Sequence, residues 1–177
     1  MGAVYFYFCS QLPSLRPGDA PPMTLARFDA LLDLLPEADA GYIRQCDFPP
    51  SREARLPEGS AGARFRAFEY ALRGEIAGRR SADRTALPPE TGTFGGLAEA
   101  VNAAAGAGDP LERERRLDVI RWRMLDDMAA AEPFSREAAA CYRLQLALLV
   151  RVDRLREAAG RSGFRAAIDA VDSRSLE

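Results

Sequence analysis

Two residue types are missing from the chain, histidine and lysine, so all 24 of its basic residues are arginine. Without histidine the chain lacks the usual general base near neutral pH and the commonest protein ligand of metal ions. Without lysine it cannot form a Schiff base or build a Walker-type phosphate loop. The arginine bias has two interpretations: a GC-rich genome, or the use of arginine at interfaces and toward acidic ligands.

Cysteine is scarce as well. The three cysteines, Cys9, Cys46 and Cys141, lie far apart and form no CxxC pair, so neither a zinc knuckle nor a redox dithiol is implied. Cys141 falls within an apolar helical pattern, where we expect a small core residue. A reducing cytoplasm suits this usage better than a secreted setting.

Long hydrophobic runs are also absent. The run VYFYFC at 4–9 has six residues and no basic segment before it, whereas a secretion signal needs about 7–15 apolar residues after such a segment. A membrane span needs about 18, and the stretch from Leu144 to Val150 is shorter and interrupted by Gln145. We therefore expect a cytoplasmic protein without direct membrane insertion.

The run VYFYFC is itself a structural question. It finds no second strand to pair with, and its apolar residues lie on every side of the helix it would form. We predict a fully buried, short helix covered by the C-terminal helices rather than a strand, with Leu12-Pro13 as its stop.

The residues that are present describe an ordinary globular chain. Of 177 residues, 47% are hydrophobic and 28% charged, the formal net charge is -2 and the pI is near 5.4. This length suits one domain, or two small helical layers that share a core. The slightly acidic balance offers no basic field to nucleic acid, so we expect none as a partner.

Apolar residues recur at helical spacing along most of the chain, and no strand pair or Asn-Gly hairpin signal occurs. Helix-start signatures stand at Thr24, Asp109 and Ser135, and Glu112 is placed to close a capping box with Asp109. Besides the opening run, helices are predicted over residues 24–35, 37–46, 61–81, 95–108 (weakly, because of its glycines), 109–131, 135–155 (with Gly160 as its end) and 164–171.

These patterns predict an all-α fold, an orthogonal or antiparallel bundle of about six to seven helices in two groups. The N-terminal group spans 1–81. A connector rich in Pro and Gly, with a short helix, spans 82–108, and the C-terminal group spans 109–172. We expect the groups to form a single compact domain.

No constellation of residues singles out a catalytic site. A carboxylate cluster follows Asp109, but a di-iron site would need histidine, so we expect a solvated helix face at Glu112, Glu114, Asp118, Asp126 and Asp127. Cys9 has no histidine to activate it, and no GxSxG elbow occurs. Gly95-Gly96 lack the spacing of a nucleotide-binding loop. We expect no enzyme activity, cofactor, metal or small-molecule substrate.

Arginine is dense on two of the predicted helices. A solvated face is the ordinary interpretation. The alternative is a docking surface for an acidic partner, because the guanidinium fork makes bidentate contacts with carboxylates. We place such a partner-binding surface on the helix over 61–81, at Arg64, Arg66, Arg73, Arg79 and Arg80.

Four stretches taken together resemble one family. They are YFYFCSQLPSL with PPMTLARFDALL, then FRAFEYALRGEIAGRRSAD, DPLERERRLDVIRWRMLDDM and PFSREAAACYRLQLALLVRVDRL. They resemble, in order, a family of small bacterial proteins encoded with V/A-type ATPase subunits. The resemblance covers nearly the whole chain, except mainly 50–60 and 82–107. The order and spacing of the four stretches together carry the resemblance.

That family is distantly similar to a central-stalk component of V/A-type ATPases, the one known as C in archaea and d in eukaryotes. The resemblance implies an all-helical, noncatalytic adaptor between the rotating stalk and the membrane ring, with other ATPase subunits as partners. It implies a cytoplasmic protein held at the membrane through the complex. The chain is about half the length expected of the archaeal component, so whether it replaces that component or assists assembly stays open.

One alternative from a different class is a ligand-binding bundle or enzyme. It would use arginines and carboxylates that converge on a pocket of a few hundred Å³ between helices.

Overall fold

The computed structural model describes residues 2–80 and 94–155, and within these ranges the chain is all-α, as predicted. Seven α-helices and no strand are found there. The elements are α1 (Gly2–Ser10), α2 (Leu25–Leu31), a 3-10 turn (Leu32–Leu34), α3 (Glu37–Gln45), α4 (Ala61–Arg80), α5 (Leu97–Ala105), α6 (Pro110–Ala131) and α7 (Arg136–Arg154).

The predicted helix starts are confirmed by their hydrogen bonds. Thr24 accepts from the backbone N–H of Arg27 at 3.1 Å, and Ser135 accepts from that of Ala138 at 3.0 Å. Asp109 accepts from two backbone N–H groups of α6, both at 3.2 Å. The carboxylate of Glu112 accepts from Arg116 at 3.1 Å, so an i,i+4 ion pair takes the place of the predicted capping box.

The helix predicted over 24–35 is shorter than expected. It is α-helical only to Leu31, and the chain then tightens into the 3-10 turn. Leu35 is extended, as expected for the residue before Pro36. The short helix after Pro36 and the weakly predicted α5 are both present.

α7 is the central helix of the described residues. From Ala139 to Leu149 every residue except Tyr142 is buried, and the helix packs against α2, α3, α4 and α6. Cys141 is fully buried there, as predicted. Such all-round burial explains the near-continuous apolar run of this segment.

One hydrophobic core unites residues from both predicted groups, from Tyr5 and Phe8 to Leu146 and Leu148. The boundaries at 81, 108 and 172 stay predictions. Residues 82–93 of the predicted connector, the helix end at Gly160 and the turn or helix predicted over 164–171 lie outside the described residues. No helix in the described part of the chain combines the length and apolarity that a membrane crossing requires.

The opening run forms helix α1, as predicted, but the expectation of all-round burial is wrong. Tyr5 and Phe8 are buried, whereas Phe6 and Tyr7 are 60% and 61% exposed. On the buried face, Phe8 meets the ring of Phe28 of α2 edge-on, with the ring centres 5.9 Å apart. Since α1 lies at the surface, only one of its faces can reach the core.

Apolar spacing predicts a buried stripe on α6 at Leu117, Ile120, Met124 and Met128, with Leu125 beside it. Leu117 and Met128 are buried as predicted, but the rest of the face differs. Ile120 and Met124 are only half-buried, while Arg121, Trp122 and Leu125 are buried. The stripe was assigned on hydrophobicity, which excludes arginine. Arg121 nevertheless faces the core, because carboxylates meet it there.

Candidate functional site

Glu69 of α4 lies in the centre of the molecule with no exposed side-chain surface. It accepts hydrogen bonds from Nε and Nη2 of Arg121, at 2.8 and 3.2 Å, and from Nε of Arg73, at 2.8 Å. The Arg121 side chain is only 6% exposed. Two parallel guanidinium bonds to one carboxylate are the geometry in which a buried ion pair best offsets its desolvation.

The Arg121 guanidinium also forms a hydrogen bond with a second carboxylate. Arg121 donates to Asp118 at 2.8 Å, and Arg151 of α7 donates to both oxygens of Asp118, at 2.9 and 2.8 Å. Arg151 also donates to Glu114 at 2.6 Å. We call these six side chains the ion-pair network: Glu69, Arg73, Glu114, Asp118, Arg121 and Arg151.

The network joins α4, α6 and α7 and contains three formal positive and three formal negative charges, so they cancel. Phe48, in the loop before α4, lies beside it. The Cζ atoms of Arg121 and Arg151 are 5.2 and 5.7 Å from the centre of the Phe48 ring. Both guanidinium groups therefore make cation–π contacts with the Phe48 ring, which also shields them from water.

Burial affects the pKa values of Asp118 and Arg121, the two residues in the middle of the network. It raises the pKa of Asp118 above its ordinary value, although Arg151 and Arg121 act in the opposite direction. For Arg121, burial would lower the pKa, but the Glu69 and Asp118 carboxylates outweigh it and hold the pKa above its ordinary value. The guanidinium therefore stays charged, and Asp118 accepts a proton more readily than an ordinary aspartate does.

A groove adjoins this network on the outer side of α6 and α7. Its volume is about 420 Å³, and Glu114 and Asp118 belong to both the groove and the network. Three exposed apolar side chains contribute to it: Leu111, Val119 and Leu155. We call it the α6–α7 groove, and its full lining is Pro17, Gly18, Leu111, Glu114, Arg115, Asp118, Val119, Trp122, Leu148, Leu149, Val152 and Leu155.

The carboxylates expected on a solvated face of α6 therefore differ in their exposure and in their partners. Asp118 is nearly buried and paired, so that expectation is wrong for it. Asp126 is an exposed residue, and its carboxylate accepts a hydrogen bond from the side-chain amide of Gln145 on α7 at 2.6 Å. In the described ranges no cluster of carboxylates or thiols is suited to a metal ion.

The five arginines predicted to bind a partner lie along α4, but three of them bond within the chain. Arg66 donates to the carbonyl of Ala54 at 2.8 Å, and Arg73 to Glu69. Arg79 donates to the carbonyl of Ala98 and to the side chain of Asn102 on α5. Arg64 is exposed, and the side chain of Arg80 lies outside what the structure describes. Their role toward a partner stays a prediction.

A second polar junction lies where α3, α4 and α7 meet. Glu137 accepts from the Tyr42 hydroxyl and from the backbone N–H of Ala61, both at 2.7 Å, and from Arg136 at 2.8 Å. Burial would raise the pKa of Glu137, but these hydrogen bonds outweigh it and hold the pKa below its ordinary value. The carboxylate thereby caps the N-terminus of α4.

The remaining reactive groups have structural positions. Burial raises the pKa of Cys46 to about 11 and that of Cys141 to about 12, which disfavours the nucleophilic thiolate. Gly96, in the segment without nucleotide-binding spacing, is the N-cap of α5 and has φ 74°, a left-handed conformation that glycine adopts readily. The carbonyl of Gly96 accepts from the N–H of Ala100 at 3.0 Å.

Sequence reasoning missed Glu69, Arg121 and Arg151 as members of a site. One signal could have found Arg121: it lies four residues after Leu117 and four before Leu125, in the middle of an apolar stripe. A charged residue at such a position needs a buried partner of opposite sign. The partner, Glu69, is 52 residues away, and no local pattern indicates it.

Residues 94–175 match a family described as "Protein of unknown function (DUF2764)". The match covers somewhat less than half of the chain. It includes α5, α6 and α7, and with them Glu114, Asp118, Arg121 and Arg151 of the network and most of the α6–α7 groove. No curated protein and no solved structure matches the chain.

Proposed function

We propose that the chain is a noncatalytic subunit or accessory protein of a bacterial V/A-type ATPase. It acts as a helical adaptor between the rotor stalk and the membrane ring, like the central-stalk component known as C or d. The observation that carries the proposal is the resemblance of four stretches of sequence, in the same order, to proteins encoded with such ATPases. The all-α fold agrees with it. The family matched at 94–175 has no described function and names no role.

The geometry supports an adaptor because such a protein must keep its shape under load. Arg121 bonds α6 to α4, and Arg151 bonds α7 to α6. Guanidinium–carboxylate pairs fix both distance and direction, so they oppose sliding of one helix along another. The network's charges cancel within the fold, which suits a structural role.

The α6–α7 groove is the surface on which we place the docking of another ATPase subunit. The exposed side chains of Leu111, Val119 and Leu155 in the groove would contact apolar side chains of that subunit. The arginines of α4, with Arg64 as the exposed example, form a second candidate surface for an acidic neighbour. Docking through either surface would hold the chain at the membrane through the complex, without inserting it into the bilayer.

The test is affinity purification of the tagged chain from detergent-solubilised membranes of its own host. The proposal predicts that the ATPase subunits are recovered with it. Val119→Glu should reduce that recovery at least about tenfold, because a buried charge opposes apolar docking. The matched control is Leu34→Glu, a similarly exposed aliphatic residue outside the groove. Arg64→Glu, compared with Arg123→Glu at an exposed position of α6, tests the arginine surface. Wild-type protein that recovers no ATPase subunit would contradict the proposal.

A specific observation also favours a second candidate, a ligand-binding bundle or enzyme. Asp118, whose pKa is raised by burial, lines a cavity of about 420 Å³ together with Glu114 and Arg115. Acids with shifted pKa values in clefts are common at functional sites. Native mass spectrometry separates the candidates: a ligand site predicts an added small-molecule mass that Val119→Glu removes, whereas an adaptor predicts no added small-molecule mass.

A further inference from the structure

An aromatic patch lies on the surface away from the α6–α7 groove. It consists of Val4, Phe6 and Tyr7 of α1 and Phe134 of the turn between α6 and α7, which are 44%, 60%, 61% and 49% exposed. The rings of Phe6 and Phe134 contact each other, with centres 5.3 Å apart. Two segments far apart in sequence therefore build one continuous apolar surface.

The backbone at Phe134 is an independent sign that this surface has a use. Phe134 has φ 58°, the left-handed conformation that glycine and asparagine adopt most readily. A bulky residue is strained there, and such strain tends to persist at functional positions. The strained turn holds an aromatic ring against Phe6 at the surface, where glycine would have closed the turn more easily.

The charge of α1 restricts what can cover the patch. Residues 2–10 contain no Asp, Glu or Arg. An anionic membrane or a nucleic acid is normally recognised with the help of basic residues beside the apolar ones, and α1 supplies none. The α1 part of the patch is therefore uncharged, while Glu132 and Arg136, of opposite charge, flank Phe134. The patch fits another aromatic-rich surface, and the chain itself carries one. Two copies related by a two-fold axis would place that surface against itself without like-charge repulsion.

The area of the patch sets the strength of such a contact. With about 200 Å² for a whole aromatic side chain, the patch exposes roughly 300–400 Å² per copy. A standard interface buries about 800 Å² per partner, around an apolar centre with a polar rim. The patch is large enough to be that centre. We propose that the chain forms a homodimer through the aromatic patch, with a dissociation constant in the micromolar range.

Sedimentation velocity on the purified chain, from about 1 to 300 µM, tests the proposal. The sedimentation coefficient should rise from the monomer value to the dimer value across this range. Phe6→Ser with Tyr7→Ser should raise the dissociation constant at least tenfold. Phe134→Asn, which removes the ring but tolerates the backbone conformation, should raise it as well. The control pair Leu111→Ser with Val119→Ser removes two apolar groups, each 38% exposed, from the α6–α7 groove and should leave the dissociation constant unchanged.

Circular dichroism and a cooperative melt show whether each variant is folded. A wild-type chain that stays monomeric throughout overturns the proposal, and so does a dimer that the Phe6/Tyr7 variant leaves intact. Flotation with zwitterionic and anionic vesicles tests whether a membrane occupies the patch instead. If the chain is monomeric in solution and binds vesicles, and the Phe6/Tyr7 variant does not bind them, the patch is a membrane contact and the dimer proposal is overturned. None of these results depends on recovery of ATPase subunits.

Discussion

Arg121 and Glu69 form a pair in which each charge depends on the other for its place in the core. Removing one member of a buried pair leaves an uncompensated charge, whereas replacing both with apolar groups of similar size is often nearly neutral. The free energies of unfolding of single and double variants are therefore expected to be strongly non-additive.

We expect Arg121→Met to lower the free energy of unfolding by about 3–5 kcal/mol, because Glu69 and Asp118 lose a partner that is itself buried. Adding Glu69→Leu should recover at least about 1 kcal/mol of that loss. Urea denaturation of the two single variants and the double variant measures the coupling. Purely additive losses would show that the two side chains do not act as a pair.

Gly62, at the start of α4, offers a test of close packing. A Cβ atom there would lie 2.6 Å from Sγ of Cys46 and 3.2 Å from a methyl group of Leu56. We expect Gly62→Ala to lower the free energy of unfolding by about 1–3 kcal/mol, since the core must shift to accept the methyl group.

The matched control for Gly62 lies on the same helix. Gly78 has nothing within 4 Å of its added Cβ, so Gly78→Ala should raise the free energy of unfolding by about 0.5–1 kcal/mol through helix propensity. Equal effects of the two substitutions in denaturant titrations would refute the packing argument.

At the residue scale, the sequence allowed prediction of the caps at Thr24, Asp109 and Ser135, because a cap depends on the few residues beside it. It did not allow prediction of the ion-pair network. The pairing of Arg121 with Glu69 depends on how α4 and α6 pack, and hydrophobicity alone assigned Arg121 to the surface.

At the scale of elements, α1 shows where periodicity stops being informative. Its apolar residues surround the helix, so no face could be distinguished from the sequence, and only packing shows that Tyr5 and Phe8 are the buried ones. α7 was easier to predict, because apolar residues all round match its burial on nearly all sides.

The two faces of α1 should respond differently to truncation. Phe8→Ala should lower the free energy of unfolding by about 3–5 kcal/mol, because Phe8 is fully buried against Phe28. Tyr7→Ala should change it by less than about 0.5 kcal/mol, because Tyr7 is mostly exposed. Thermal unfolding at low micromolar concentration compares them. Similar losses would mean that α1 is buried on both faces, as the sequence first suggested.

At the scale of the whole molecule, the free energy of unfolding should depend on pH, because Glu137 titrates at the junction of α3, α4 and α7. Glu137 has a folded-state pKa below its ordinary value of 4.5. Its contribution is therefore fully present above pH 4.5 and is lost as the pH falls through the folded-state pKa. Glu137→Gln should cost stability near neutral pH.

The difference between the wild-type and Glu137→Gln free energies of unfolding should shrink below about pH 4. Asp118 acts with the opposite sign, since its raised pKa makes its contribution fall as the pH rises. The comparison must therefore be made between variants at each pH rather than across pH for one protein. A difference that stays constant from neutral to acidic pH would show that the Glu137 carboxylate does not stabilise this junction.

The all-α class and most helix bounds followed from the sequence because they depend on spacing within a few turns. The α6–α7 groove did not, since the Pro17–Gly18 loop, α6 and α7 build it together from segments about a hundred residues apart. The division into groups at 81 and 108 stays a prediction, although residues of both groups share one core.

The central claim is that the chain belongs to a V/A-type ATPase, and purification of that ATPase through a tag on its own catalytic subunit tests it most directly. Quantitative mass spectrometry of the complex should find the chain at a fixed ratio to the rotor-stalk subunits if it is a stoichiometric part, and at a lower, variable ratio if it assists assembly. Absence of the chain from an intact, active complex and from its assembly intermediates would contradict the claim.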